Sequence, residues 1–130
     1  MPVIDGYLAK PVSIAGIDTR YLDVIRSLQR PGKPDLLENV IGQYLEDAAL
    51  QVEVMRNGYS TGDTAAVKAA SHRLKSSSAN LGALHLAELC QELESQSKVG
   101  ELSADMNLIS AIDEAFLDAR AQLETFYSGK

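Results

Sequence analysis

The run Ala70-Ser71-His72-Arg73-Leu74-Lys75-Ser76-Ser77-Ser78-Ala79-Asn80-Leu81-Gly82-Ala83 decides how this chain is read. At about 100° per residue, a helix through it gathers Val67, Ala70, Leu74 and Leu81 into one apolar stripe, with Ser78 on the same side. His72 then points about 160° away from the middle of that stripe. Around it lie Ala65, Ala69, Ser76 and Ala79, all small. Lys68 stands four residues before it and Lys75 three after, so both reach its edge. A helix surface bare of long side chains around one polar group admits a second protein surface closely. From Thr64 through Ala87 there is no Asp or Glu, although the chain carries a net charge of -6. The segment is a local electropositive island suited to an anion.

The flanking sequence extends this helix into a bundle. Asp18 to Gln29 is predicted as a short helix with Tyr21, Leu22, Ile25 and Leu28 on one side. Pro31-Gly32-Lys33-Pro34 breaks it. A long helix follows, with Pro34 at its first position and Asp35 and Glu38 favouring the N-terminal dipole. Leu37, Val40, Ile41, Tyr44, Leu45, Ala48, Val52 and Met55 keep the helical period. Asn57-Gly58 reads as its stop, Ser60 or Thr61 as the next cap, and Asp63 as a first-turn acid. The His72 helix should end near Leu81, with Gly82 giving a C-terminal turn or a close helix crossing. Another helix runs from about Ala83 to about Gly100 on Leu86, Leu89, Cys90 and Leu93. Ser103 caps the last, whose stripe is Met106 or Ile109, Ile112, Phe116, Ala119, Leu123 and Phe126. No segment alternates with period two. The expected fold is all-α: an antiparallel up-down-up-down four-helix bundle with a short additional N-terminal helix.

Composition fits that fold. A length of 130 residues suits one domain, and a hydrophobic fraction of 45% with no Trp implies a core of Leu, Ile, Val, Ala and Met. No stretch approaches the roughly 20 apolar residues needed to cross a bilayer, and no signal peptide is read at the N-terminus. The single Cys90 excludes an internal disulfide and any multi-cysteine metal site, and its phase makes it a buried structural thiol. A reducing cytoplasm fits. The acidic pI of about 4.8 argues against nucleic acid. His72 and His85 are too far apart for a local metal pair, so no metal site is expected. The serines at 76, 77 and 78 lack the acid and oxyanion partners of a hydrolase; Ser77 and Ser78 ease helix packing. Glu92 and Glu94 read as a solvated face. No Gly-rich phosphate loop is present, so no ATP site is expected.

His72, Leu74, Lys75, Ser76, Ser77 and Ser78, then Asn80-Leu81-Gly82-Ala83, then Leu86, Cys90, Leu93 and Glu94, together resemble the histidine-containing phosphotransfer domain of bacterial phosphorelays. The resemblance is strongest over residues 35 to 100. It implies that His72 accepts a phosphoryl group from a receiver-domain aspartate on Nε2 and passes it to another receiver. It implies roles for Lys75, and secondarily Lys68, in softening phosphoryl charge, with Leu74 orienting the helix from the core and Gly82 allowing tight packing. Ala65, Ala69, Ser76 and Ala79 would meet the partner. The chain would hold no cofactor, and Mg²⁺ would come with the receiver. One departure stands out: the family usually has Gly after the Lys, where this chain has Ser76. Its hydroxyl can shield the imidazole or donate to a bound phosphoryl group, so transfer rate is the property it touches.

Asp5-Gly6-Tyr7-Leu8-Ala9-Lys10-Pro11-Val12 resembles the last strand and Lys-Pro turn of a receiver. Residues 1–16 therefore read either as a flexible arm or as the remnant of a preceding receiver in a hybrid sensor kinase, with 17–130 the phosphotransfer domain. Lys10 has no catalytic role in either case. The expected protein is a monomer without direct membrane contact, although its parent can be anchored. The competing reading is a helical docking or scaffold module with no covalent step.

Overall fold

The computed structural model describes residues 17–98 and 107–128, with side chains as far as Thr125. Five helices are present: α1 (Thr19–Ser27), α2 (Leu36–Thr61), α3 (Thr64–Asn80), α4 (Leu84–Lys98) and α5 (Asn107–Ser128). There is no strand among the described residues. The fold is all-α, as the periodicity requires. Helix α3 packs against α2 and α4, and α5 packs against the same two from the other side. The turns at Gly62-Asp63 and at 81–83 make α2/α3 and α3/α4 antiparallel hairpins.

The expected stripes form the core. Leu37, Ile41, Tyr44, Ala48, Val52 and Met55 of α2 are buried, as are Val67, Ala70 and Leu74 of α3 and Leu86, Cys90 and Leu93 of α4. From α5 come Ile109, Ile112, Phe116, Ala119 and Leu123, joined by Ala115. Leu89 is only partly buried. The cores of α2 and α3 also meet through a polar pair: Tyr44 Oη and Ser78 Oγ lie 2.8 Å apart in the interior. Burial pushes the Cys90 thiol up to about 12, so it stays protonated and inert.

Several boundaries differ from the sequence reading, each for a local reason. Pro34 lies outside α2: Asp35 is the cap, and its carboxylate accepts from Glu38 N at 3.0 Å. Asn57-Gly58 does not stop the helix. A Cβ on Gly58 would meet Val67 Cγ2 at 2.9 Å, so this glycine admits α3 rather than ending α2. The helix ends instead at Gly62, with φ +75. Asp63, not Ser60 or Thr61, then caps α3 by accepting from Ala66 N. In α1 only Leu22 is fully buried; Tyr21, and Leu28 at the C-cap, are exposed, because a helix of nine residues touches the bundle along a narrow line. Ser103, Met106 and residues 1–16 lie outside the described residues, as does the side chain of Phe126.

The α3–α4 turn packs closely against the start of α1. Gly82 N donates to Ala79 O and Ala83 N to Ser78 O, the two bonds of a Schellman end, and Gly82 takes φ +84. Asp18 N donates to Gly82 O at 2.9 Å, and Ile17 N to Gln122 Oε1 at 3.0 Å, so the start of α1 is tied to two other parts of the bundle. A Cβ on Gly82 would overlap the Asp18 carbonyl. Gly62 has the same backbone geometry with open space around it. Gly62→Ala should therefore cost only the left-handed penalty, about 1–2 kcal/mol. Gly82→Ala should cost about 2–4 kcal/mol, because Asp18 must also move and loosen its hydrogen bond. Urea midpoints of the two variants check the order; equal losses would contradict the tight docking of α1.

Candidate functional site

Helix α3 presents His72 to solvent, with 62% of its side chain exposed. Leu74, fully buried two residues on, fixes that rotation by occupying the core. Ala65, Ala69 and Ser76 are exposed around the imidazole and Ala79 is half-buried. The small-residue collar read from helical phase is therefore brought together in space.

The structure adds a residue that the sequence reading set aside. Glu94 of α4 is not on a solvated face: it is 3% exposed. Its Oε2 lies 2.9 Å from His72 Nδ1 and its Oε1 2.8 Å from Lys75 Nζ. The reason is phase. Glu94 follows Cys90 by four residues and adjoins Leu93, both buried, so α4 turns it inward against α3. Reading it by residue type rather than by its place on the Leu86-Cys90 stripe missed it. A carboxylate buried this deeply needs partners, and α3, which carries cations and no acids in this stretch, supplies them. The Lys75 ammonium, followed by the His72 contact, holds the Glu94 carboxyl below its ordinary 4.5 against the opposing effect of burial.

An ionised carboxylate can only accept, so His72 Nδ1 must donate to it. That selects the tautomer with the proton on Nδ1 and leaves Nε2 with a free lone pair. The buried partner also restrains the ring, so Nε2 is the nitrogen left to face outward. Lys75, the nearer of the two expected cations, is committed to Glu94 and to Gln91 Oε1 at 3.0 Å. Lys68 is exposed and forms no ion pair among the described residues. Arg73 bridges to Asp47 of α2, with Nε 2.9 and 3.0 Å from the two carboxylate oxygens. His85 is half-buried on the far side of the α3–α4 turn and joins none of these contacts. Among the described residues no group of three or more His, Cys, Asp or Glu could hold a metal ion, and no helix is long and apolar enough to cross a membrane.

A family model for the Hpt domain matches residues 39–123, a span that holds His72, Lys75 and Glu94. The chain belongs to the Hpt domain family. An Hpt domain has a phosphorelay histidine phosphotransfer role and interacts with response-regulator receiver domains. Among solved structures, the histidine-containing phosphotransfer protein B (HptB) from Pseudomonas aeruginosa is similar to this chain, with a TM-score of 0.80 and 24% identity. The similarity covers 88% of this chain and 96% of that one, so the two share a fold over nearly their whole lengths. No curated protein sequence matches this Hpt domain.

Removing the buried carboxylate should separate its two duties. Glu94→Ala frees the imidazole and leaves Lys75 without its carboxylate, with only Gln91 Oε1 to bond. Transfer should slow on the order of tenfold, as expected when a reacting group loses its positioning. Stability should fall by about 1–2 kcal/mol, less than for a fully buried orphan charge, because Lys75 can still reach water. Glu94→Gln keeps an oxygen for Nδ1 and should transfer faster than Glu94→Ala. The pH response follows from the depressed folded pKa. The pairing stabilises fully above the ordinary carboxylate value of 4.5 and is lost as pH falls through the lowered one. Melting curves between neutral pH and pH 3 should show a weaker acid-induced drop in Glu94→Gln than in the parent; identical slopes would remove Glu94 from the account.

Proposed function

We propose that His72 is the phosphoacceptor of this Hpt domain, with Glu94 orienting it. Nε2 attacks the phosphorus of an acyl phosphate on a receiver aspartate. The P–N bond forms, the P–O bond to the aspartate breaks, and the carboxylate leaves with the electron pair. The ring enters the step with its proton on Nδ1 and keeps it, shared with Glu94. Onward transfer reverses these bonds: a second receiver's aspartate attacks the phosphorus and His72 leaves as the same neutral tautomer. No proton has to be removed from the ring in either direction.

Phosphoryl transfer depends mostly on positioning and on neutralising charge. The small collar of Ala65, Ala69, Ser76 and Ala79 lets the receiver approach. Lys68 and Lys75 oppose the phosphoryl charge, with Lys75 partly spent on Glu94. Mg²⁺ is expected on the receiver, and this chain needs no cofactor of its own. The domain acts as a monomer in the cytoplasm.

The observation that carries this reading is the exposed imidazole whose Nδ1 is bonded to a buried carboxylate. A docking module with no covalent step has no use for that contact. The test is incubation with a phosphorylated receiver domain, followed by acid and base treatment of the label acquired. Phosphohistidine is acid-labile and base-stable; label with the opposite stability would contradict the proposal.

A further inference from the structure

A third cation stands at Glu94 besides His72 and Lys75. Lys98, the last residue of α4, follows it by four positions, and its Nζ lies 4.0 Å from Oε2. Oε2 is the same oxygen that meets His72 Nδ1, whereas Lys75 bonds Oε1. Glu before Lys at this spacing is the favourable order on a helix. The ionisable groups about this carboxylate are thus His72 and Lys75 from α3, with Lys98 and the buried, protonated Cys90 from its own helix. In the unloaded chain it is Lys75 and His72 that hold the carboxyl ionised.

Loading His72 changes that balance. A phosphoryl group on the ring brings roughly two negative charges within reach of Lys75, one turn away. The ammonium has three donors, and two already serve Glu94 Oε1 and Gln91 Oε1. Any turn of Lys75 toward the phosphoryl oxygens weakens its hold on a carboxylate that is 3% exposed and needs a partner to stay charged. The charge is needed at that moment, because the loaded ring keeps its Nδ1 proton against Oε2. Lys98 can make up the loss. Its side chain is 57% exposed against 26% for Lys75, so it is not packed in place. A move of about 1 Å brings it to hydrogen-bond length.

We propose that Lys98 is a positioning residue for transfer: it closes on Glu94 Oε2 when the phosphoryl group draws Lys75, and so keeps the imidazole oriented in the loaded state. This rests on His72 being the acceptor. Lys98 acts through Glu94 and needs no contact with the phosphoryl group or the receiver.

The test compares the parent with Lys98→Met, Lys98→Arg, Lys75→Met and the Lys75→Met, Lys98→Met double variant, all as the whole chain. Each is loaded with phosphoramidate, and onward transfer to an unphosphorylated receiver is followed against receiver concentration. Lys98→Met should lower the maximal rate about threefold and leave the half-saturating concentration within about twofold, since positioning is lost and docking is not. Lys98→Arg should recover the parent rate. With Lys75 gone, Lys98 is the remaining ammonium at Glu94, so the double variant should fall below the product of the two single losses by about threefold or more. Carbon-13 titration of the Glu94 carboxyl in the unloaded proteins is the independent readout. Removing a cation raises the midpoint. Lys98→Met should make Glu94 about a twofold weaker acid, as for an exposed pair one helical turn apart, and about a tenfold weaker one in the Lys75→Met background. A maximal rate unchanged in Lys98→Met, single losses that simply multiply, or an arginine variant no better than methionine overturns the proposal. So does a Glu94 midpoint that ignores Lys98 in both backgrounds. A parent chain that phosphoramidate does not label on His72 defeats the acceptor assignment and this proposal with it; a titration that still responds to Lys98 then identifies the assignment as the part that failed.

Discussion

His72→Gln yields a folded bundle that takes no phosphoryl group from a phosphorylated receiver. The side chain is 62% exposed, so its replacement leaves the core intact and should lower stability by no more than about 0.5–1.5 kcal/mol, the worth of its hydrogen bond to the buried Glu94 carboxylate. Gln has no ring nitrogen to attack phosphorus. Label transfer should drop to the background set by spontaneous hydrolysis of the receiver. His85→Gln should be silent, because that residue lies beyond the α3–α4 turn and outside the Glu94 cluster. Gel transfer with both variants checks this. Retained labelling in His72→Gln would move the acceptor elsewhere.

Enlarging the collar should be nearly as damaging while leaving the imidazole in place. Ser76 is exposed one turn after His72. A leucine there stands beside Nε2 and holds the partner surface off. The reacting atoms must come within about 3–3.5 Å, and a misplacement near 1 Å costs on the order of 100-fold in rate. Ser76→Leu should show that loss with unchanged helicity. Ala79→Arg should act similarly; its half-buried position means circular dichroism must accompany the rate. Ser76→Gly restores the family's usual residue and should keep or raise the rate, at a helix-propensity cost of up to about 1 kcal/mol. Unimpaired transfer in both bulky variants would mean that the receiver approaches from another face.

The helices were legible because their burial follows the 3.6-residue period almost without exception. Every apolar position assigned to α3 is buried, and His72 stands on the opposite face as the phase requires. Helix ends were harder to read because they are set by partners distant in sequence. Gly58 looks like a stop signal locally, yet it is a notch for Val67. Gly82 fits a turn or a close crossing in the sequence and serves as both, since the Asp18 backbone rests against it. Glu94 was the larger loss. Its sequence neighbours do not reveal that His72 and Lys75, 22 and 19 residues earlier, lie within hydrogen-bond reach of its carboxylate. The Arg73–Asp47 pair, 26 residues apart, was invisible for the same reason. The sequence locates the imidazole; only the packing of α3 on α4 shows which of its nitrogens is held.

That nitrogen is the centre of the account, and nuclear magnetic resonance of the phosphorylated chain addresses it directly. With ring nitrogens labelled, coupling to phosphorus should place the phosphoryl group on Nε2 of His72, with Nδ1 still carrying its proton beside Glu94. A phosphoryl group on Nδ1 would require the ring to leave its carboxylate and turn over, and would contradict the account.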